Sequence, residues 1–177
     1  MSSPVAPSSK NRLDLANRLF FRLYQCANMM HKTGSSALEK HGLTTQQWAV
    51  LGALSRPSVA KGMSVGDLAR YLMVSRQNLA GVLGRMHRDG HLCEARDAED
   101  RRVRLVSMSA SGRRVWTKRA LPEIHAYYQR ALSGFSEDDL SHTLHCLQDL
   151  LDNLKELDES RAARIDRAPG VGALARP

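Results

Sequence analysis

SVGDLARYLMVSRQNLAGVLGRMHRDGHLCEARDAEDRRVRLVSM, residues 64 to 108, decides the fold of this chain. It opens on Ser64 and, three positions on, Asp67. A hydroxyl to accept a free backbone N–H and an acid at that spacing form a capping box, which marks a helix start. Leu68, Ala69 and Leu72 follow at helical spacing. Ala69 is small, as a position facing a second helix across a tight turn must be. Met73 and Val74 make that turn, and Ser75 caps the next helix. The apolar face of this second helix is Leu79, Val82, Leu83 and Met86. Its other face carries Arg76, Gln77, Asn78, Arg85 and Arg88, with no acid before Asp89. Gly90 stops it. His91 to Arg96 reads as a strand, Asp97 to Arg102 as a charged loop, and the alternating Val103 to Met108 as a returning strand.

Two helices across a tight turn, followed by a hairpin with arginines at its tip, make a shape suited to DNA. The second helix fits the major groove. The tip reaches the minor groove, whose potential attracts arginine. Arg76, Gln77 and Asn78 lie in the first helical turn, where a groove-bound helix presents side chains to bases. Arg suits guanine; Gln and Asn suit adenine. Arg85 and Arg88 sit further along and suit phosphates, and the hydroxyls of Ser64 and Ser75 at the two helix starts join them. A solvated polar face is the plain alternative for such a run; the hairpin behind it favours DNA.

Composition points the same way. The chain has 177 residues, 42% hydrophobic but only 5% aromatic, which suits a helical protein packed with Leu, Ala and Met. A net charge of +8 and a pI near 9.9 favour an anionic partner. No run of about 18 apolar residues is long enough to span a membrane. Residues 1–10 are Ser/Pro-rich without an apolar core, which excludes a signal peptide and predicts a disordered arm. Cys26, Cys93 and Cys146 are odd in number and widely spaced, which fits neither a disulfide framework nor a zinc site, and suits a reducing cytoplasm.

Around the central lobe, 44–108, the pattern is helical. A first helix is predicted over 11–41, with Leu13, Ala16, Leu19 or Phe20, Leu23, Ala27 and Met30 recurring every three to four residues. Gly34 marks a bend in it. Thr44 and Gln47 box the start of a helix carrying Trp48, Val50, Leu51 and Leu54. Ser109 caps a long helix to about Leu132, with Trp116, Leu121, Ile124 and Tyr128 as buried positions and a kink at Pro122. The signature at Ser136 to Asp139 opens a last helix to 158. Its leucines Leu140, Leu144, Leu147, Leu150 or Leu151, Leu154 and Leu157 are nearly heptad-like. Residues 159–177 turn basic and Gly/Pro-containing, and read as a disordered tail. The small lobe cannot cover the stripes of 11–41 and 109–158. A second copy of the chain is the economical partner, with Leu13, Leu140, Leu144, Leu147, Leu151 and Leu154 in the seam. The fold class expected is mainly α with a small β-wing: a winged helix-turn-helix lobe plus a helical dimerisation region.

From about Leu13 to Leu157 this order of elements resembles the MarR family of transcriptional regulators. Its most specific piece is the joined string from Val74 to Gly112. The resemblance implies interlocked N- and C-terminal helices in a homodimer, and double-stranded DNA with a pseudo-palindromic operator as partner. It implies that Arg102 enters the minor groove and that Asp100 holds that arginine in place; Arg101 and Arg104 compete for the neighbouring phosphates. One subgroup senses peroxides through a cysteine near the start of the first helix. Phe20 takes that place here, and Cys26 falls on an apolar stripe, which predicts buried packing. Family members that bind aromatic acids hold them between the first, second and fifth helices. Near that cleft fall Asn28, His31, Thr45 and Trp48. Trp48 can stack on a ring or simply fill the core, and His31 can meet a carboxylate or simply face solvent.

No GxSxG, P-loop, GxGxxG or CxxC motif supports an enzyme or a cofactor, and the seven histidines, of which only His87/His91 and His142/His145 stand three or four apart, are not read as a metal site. The function expected is a sequence-specific regulator, a repressor released from its operator by a small aromatic carboxylate or phenolic ligand. The alternatives are a redox-sensing regulator acting through cysteine and a non-specific architectural protein.

Overall fold

The computed structural model describes residues 9–167, which fall into two units divided between Ala131 and Leu132. The first holds α1 (Ser9–Leu38), α2 (Thr45–Leu54), β1 (Met63–Ser64), α3 (Val65–Leu72), α4 (Arg76–Arg88), β2 (Leu92–Arg96), β3 (Arg104–Met108), α5 (Ala110–Val115) and α6 (Leu121–Ala131). The second is a single long helix, α7 (Glu137–Arg167). None of these helices is long and apolar enough to cross a membrane.

Helix starts are capped as their sequences require. Thr44 accepts the Gln47 N–H at 3.2 Å while the Gln47 side chain accepts the Thr44 N–H at 2.9 Å, a complete box. Ser136 and Asp139 do the same for α7, at 3.1 and 2.9 Å. Ser64 differs: it accepts the Asp67 N–H at 3.1 Å, but Asp67 takes the Ser64 hydroxyl proton at 2.6 Å rather than its backbone N–H. Ser64 already pairs with Leu105 as the end of β1, so the reciprocal half of the box is lost. Met73 turns the chain between α3 and α4 with a left-handed φ of 53°. Gly90, at φ 72°, closes α4. Its N–H reaches the His87 carbonyl at 3.0 Å, and the His91 N–H reaches Met86 at 2.9 Å, a Schellman turn.

The sheet is antiparallel in the order β1-β3-β2, with Leu92 opposite Met108 and Arg96 opposite Arg104. The strand β1 has no counterpart in the sequence pattern. It is two residues long, and Gly62 before it lets the chain pass β3: a Cβ there would stand 2.7 Å from the Val106 carbonyl oxygen. One core joins α2, α3, α4 and β3 through Val50, Leu51, Leu68, Met86 and Val106.

Several expectations need correction. The first helix begins at Ser9 and ends at Leu38, with a short 3-10 turn to His41. Of the expected arm, Ser9 and Lys10 are helical and 1–8 lie outside the described residues. Gly34 makes no bend. It is buried inside α1 at a close approach to α2, where a Cβ would meet Thr45 Cγ2 at 2.9 Å. The helix after Ser109 is interrupted by a π turn, Trp116–Ala120, just before Pro122. Proline has no N–H to give a carbonyl four residues back, and the wider turn absorbs that loss. Ile124 is buried as expected, but Tyr128 is 40% exposed. Cys26 is exposed rather than buried, as are Cys93 and Cys146. Residues 159–167 continue α7 rather than starting a tail; their Ala, Arg and Glu are good helix formers. Residues 168–177 lie outside the described residues.

Candidate nucleic-acid interface

The site is built on α4. Ser75 accepts the Asn78 N–H at 3.1 Å and fixes the start of the helix. Leu79, Val82, Leu83 and Met86 are buried, so helical periodicity turns Gln77, Gly81, Gly84 and Arg88 outward, along the opposite strip. Asn78 sits at the edge of this strip, beside a shallow apolar groove that includes Val50, Leu72 and Val74. Arg85 and Arg88 are exposed. Each reaches back toward a glycine one turn earlier: a Cβ at Gly81 or Gly84 would lie 3.8 Å from the respective Nη1. Arg76 does not project with Gln77. Its guanidinium folds back over Gly66 in α3.

The tip of the wing is shaped by its own acids. Asp97 Oδ1 accepts the N–H groups of Glu99 and Asp100 at 2.8 and 2.9 Å. These bonds, the Asp100 one first, hold the Asp97 carboxyl below the usual aspartate range. Asp100 Oδ1 accepts the Arg102 N–H at 2.9 Å. Asp100 therefore fixes the backbone of Arg102 and not its guanidinium; among the described residues no ion pair joins the two side chains. Arg104 is tied across the sheet to Glu94, at 3.6 Å, and Glu94 also lies 3.1 Å from His87 of α4. That leaves Arg101 and Arg102, both exposed, at the tip.

A small, half-open pocket of about 40 Å³ lies between α1, α2 and α6. From α1 come Met30, Gly34 and Leu38, from α2 Thr45 and Trp48, from α6 Ile124, Tyr127 and Tyr128. Its walls are almost wholly apolar, and no Lys or Arg lines it. Tyr127 shares a 2.8 Å hydrogen bond with Thr33. Burial, and secondarily the neighbouring Tyr127, pushes the Tyr128 phenol above its ordinary pKa. Thr45 and Trp48 thus stand where they were expected. His31 is exposed and does not line the cavity, but its Nδ1 bonds the Thr45 hydroxyl at the rim. Asn28 is exposed on α1 and takes no part in the lining. The residues missed are Met30, Gly34 and the two tyrosines. Ile124, Tyr127 and Tyr128 share one helical face, a spacing that could have flagged them. An open groove with Thr33, Ser36 and Arg130 adjoins the cavity through Ala37 and Tyr127.

The leucines expected in a seam are open in the single chain: Leu13 is 63% exposed, Leu144 68%, Leu147 42% and Leu154 43%. Leu140 and Leu151 are half-buried.

Comparison with known proteins adds to this geometry. The model of the MarR family matches residues 41–103. Over 151 residues the chain is 66% identical to the transcriptional activatory protein BadR of Rhodopseudomonas palustris, covering 85% of this chain and 86% of that one. It is 27% identical over 114 residues to the homoprotocatechuate degradative operon repressor of Escherichia coli, covering 64% and 74%. Among solved structures, CouR from Rhodococcus jostii bound to p-coumaroyl-CoA superposes with a TM-score of 0.68 at 20% identity, over 77% of this chain and 93% of that one.

Proposed function

This chain belongs to the MarR family of transcriptional regulators, and on that premise we propose that it is a homodimeric, operator-specific repressor released from DNA by a small aromatic carboxylate or phenol. The observation that carries the effector is the cavity beside Trp48, Tyr127 and Tyr128. It is a small apolar pocket walled by three aromatic side chains, and it lies between the helices next to the DNA-binding lobe. A ring stacks among the aromatics, and a carboxylate finds His31 at the rim or Arg130 in the adjoining groove. A dimer accounts for the uncovered leucines of α1 and α7.

Release follows from linkage. A ligand that binds the DNA-incompetent state more tightly lowers operator affinity, and operator DNA lowers ligand affinity by the same factor. Two heads must sit about 34–36 Å apart to meet successive turns of a pseudo-palindrome, so a small shift of α2 against α1 spoils the match. The homoprotocatechuate relative is named a repressor and the 66% identical relative an activatory protein. Ligand release relieves repression where the operator overlaps a promoter, and withdraws activation where it lies upstream.

The test is an operator titration against benzoates, hydroxybenzoates and cinnamates, with Trp48→Ala and His31→Ala as controls. One member of the panel should weaken binding about 5–150-fold, and Trp48→Ala should abolish the effect. If no member shifts binding and an oxidant does, through exposed Cys26 or Cys93, a redox regulator replaces this reading.

A further inference from the structure

Arg76 opens the recognition helix, yet its guanidinium lies against a different helix. A Cβ built on Gly66 would stand 3.0 Å from Arg76 Nη2, 3.5 Å from Cζ and 3.6 Å from Nε. Three atoms of one planar group at similar range mean that the guanidinium lies broadly over the glycine, not end-on to it. All three of the nearest atoms to that Cβ belong to Arg76, so a side chain at this position would press on Arg76 first. Glycine weakens a helix relative to alanine, and α3 is only 8 residues long. A glycine there calls for a reason, and the seat of Arg76 supplies one.

Charge gathers beside this contact. Asp67, the next residue, takes the Ser64 hydroxyl on Oδ2 at 2.6 Å and the Arg70 guanidinium on Oδ1. The Ser64 bond is the main cause holding its carboxyl below the usual range; Arg70 and, more weakly, Arg76 add to it. Asp67 is thus ion-paired to Arg70, and among the described residues no ion pair holds the Arg76 guanidinium.

We propose that Gly66 is a positioning residue that seats Arg76 across the start of α3, where it grips a DNA phosphate and leaves base reading to Gln77 and Asn78. This rests on the operator-binding reading above. An arginine folded onto a neighbouring helix is too short to enter the groove with Gln77. Its N–H edges stay free for a phosphate, which guanidinium binds in a bidentate fork. A preformed seat spares part of the ordering cost on binding.

The experiment measures binding of operator and scrambled duplexes by anisotropy between about 50 and 200 mM salt. The proteins compared are the full chain and its Gly66→Ala, Arg76→Ala and Gly66→Ala/Arg76→Ala variants. Arg76→Ala should weaken both duplexes by the same factor and lower the salt slope by about one phosphate contact. Gly66→Ala, which only a flexible side-chain end opposes, should melt no lower than the parent. It should still reproduce part of that loss, and none of it in the Arg76→Ala background. The proposal is overturned if Arg76→Ala changes preference at one base pair and spares scrambled DNA, or if the Gly66 and Arg76 effects simply add. Failure of the operator reading looks different. Operator and scrambled DNA would then bind alike in every variant, while the salt slope still decides whether Arg76 holds a phosphate.

Discussion

Gly81→Ala separates stability from DNA binding at the surface assigned to the groove. Gly81 lies on the outward strip of α4 between Gln77 and Arg85. A Cβ there would meet only Arg85 Nη1, at 3.8 Å, an ordinary contact with a flexible end. The backbone is helical and its φ is negative, so alanine is unstrained. The substitution should therefore stabilise the chain by about 0.5–1 kcal/mol, from helix propensity and the reduced freedom of the unfolded chain. For a chain of this size that raises Tm by roughly 2–4 °C per kcal/mol. With α4 docked in the groove as proposed, the same methyl points at the base edges. If α4 lies deep in the groove, an extra methyl in a filled contact costs about 1–3 kcal/mol, or roughly ten- to a hundredfold in operator affinity. The two signs are read by a circular dichroism melt and an anisotropy titration on one preparation. A higher Tm with unchanged operator affinity would refute the close approach of this strip to DNA. A lower Tm would refute the open packing around Gly81.

Other consequences are as direct. Light scattering at micromolar concentration should give twice the 19.7 kDa chain mass, and Leu147→Asp or Leu154→Asp should yield monomers or unfolded chain, because a charge cannot be buried unpaired. Gly112→Ala should be among the most damaging single methyls, since its Cβ would stand 2.1 Å from the His91 carbonyl oxygen, a backbone atom; a loss of about 1–3 kcal/mol or more is expected in a denaturant titration. Gln77→Ala should relax preference at one base pair of each half-site by about 1–3 kcal/mol, whereas Arg88→Ala should weaken all sequences alike. The Ser136 hydroxyl bond holds Asp139 below its ordinary pKa. Its support of the α7 start is thus complete above the usual aspartate range of about 4 and is lost as pH falls through the lowered value; melts between pH 5 and 3 should show a shallower acid limb in Asp139→Asn.

Local chemistry is what the sequence exposes most clearly. Thr44, Ser75, Ser109 and Ser136 each cap a helix because a hydroxyl and an N–H three residues on need nothing else from the fold. Gly90 closes α4 for the same reason. Where a residue answers to a distant segment, its role stays hidden in the string. The two-residue β1 exists only against β3. Gly34 reads as a break until α2 lies against it. Arg76 looks like a base reader until Gly66 is seen beneath it. The cavity follows the same divide. Trp48 and Thr45 stand out as an aromatic and a hydroxyl at a helix start, while Tyr127 and Tyr128 become wall residues only once α6 packs on α1. Asp100 is read beside Arg102, and the bond it makes there is to the Arg102 N–H.

The most direct test of operator-specific binding is one competition titration. A labelled duplex carrying the promoter region next to this protein's own gene is displaced from it, once by the same unlabelled duplex and once by a scrambled duplex of equal length and composition, at physiological salt. A preference of about 10³-fold or more for the promoter sequence is expected of an operator-specific dimer. Equal displacement by the two competitors would contradict it, and would make the chain a protein that coats DNA through its charge alone.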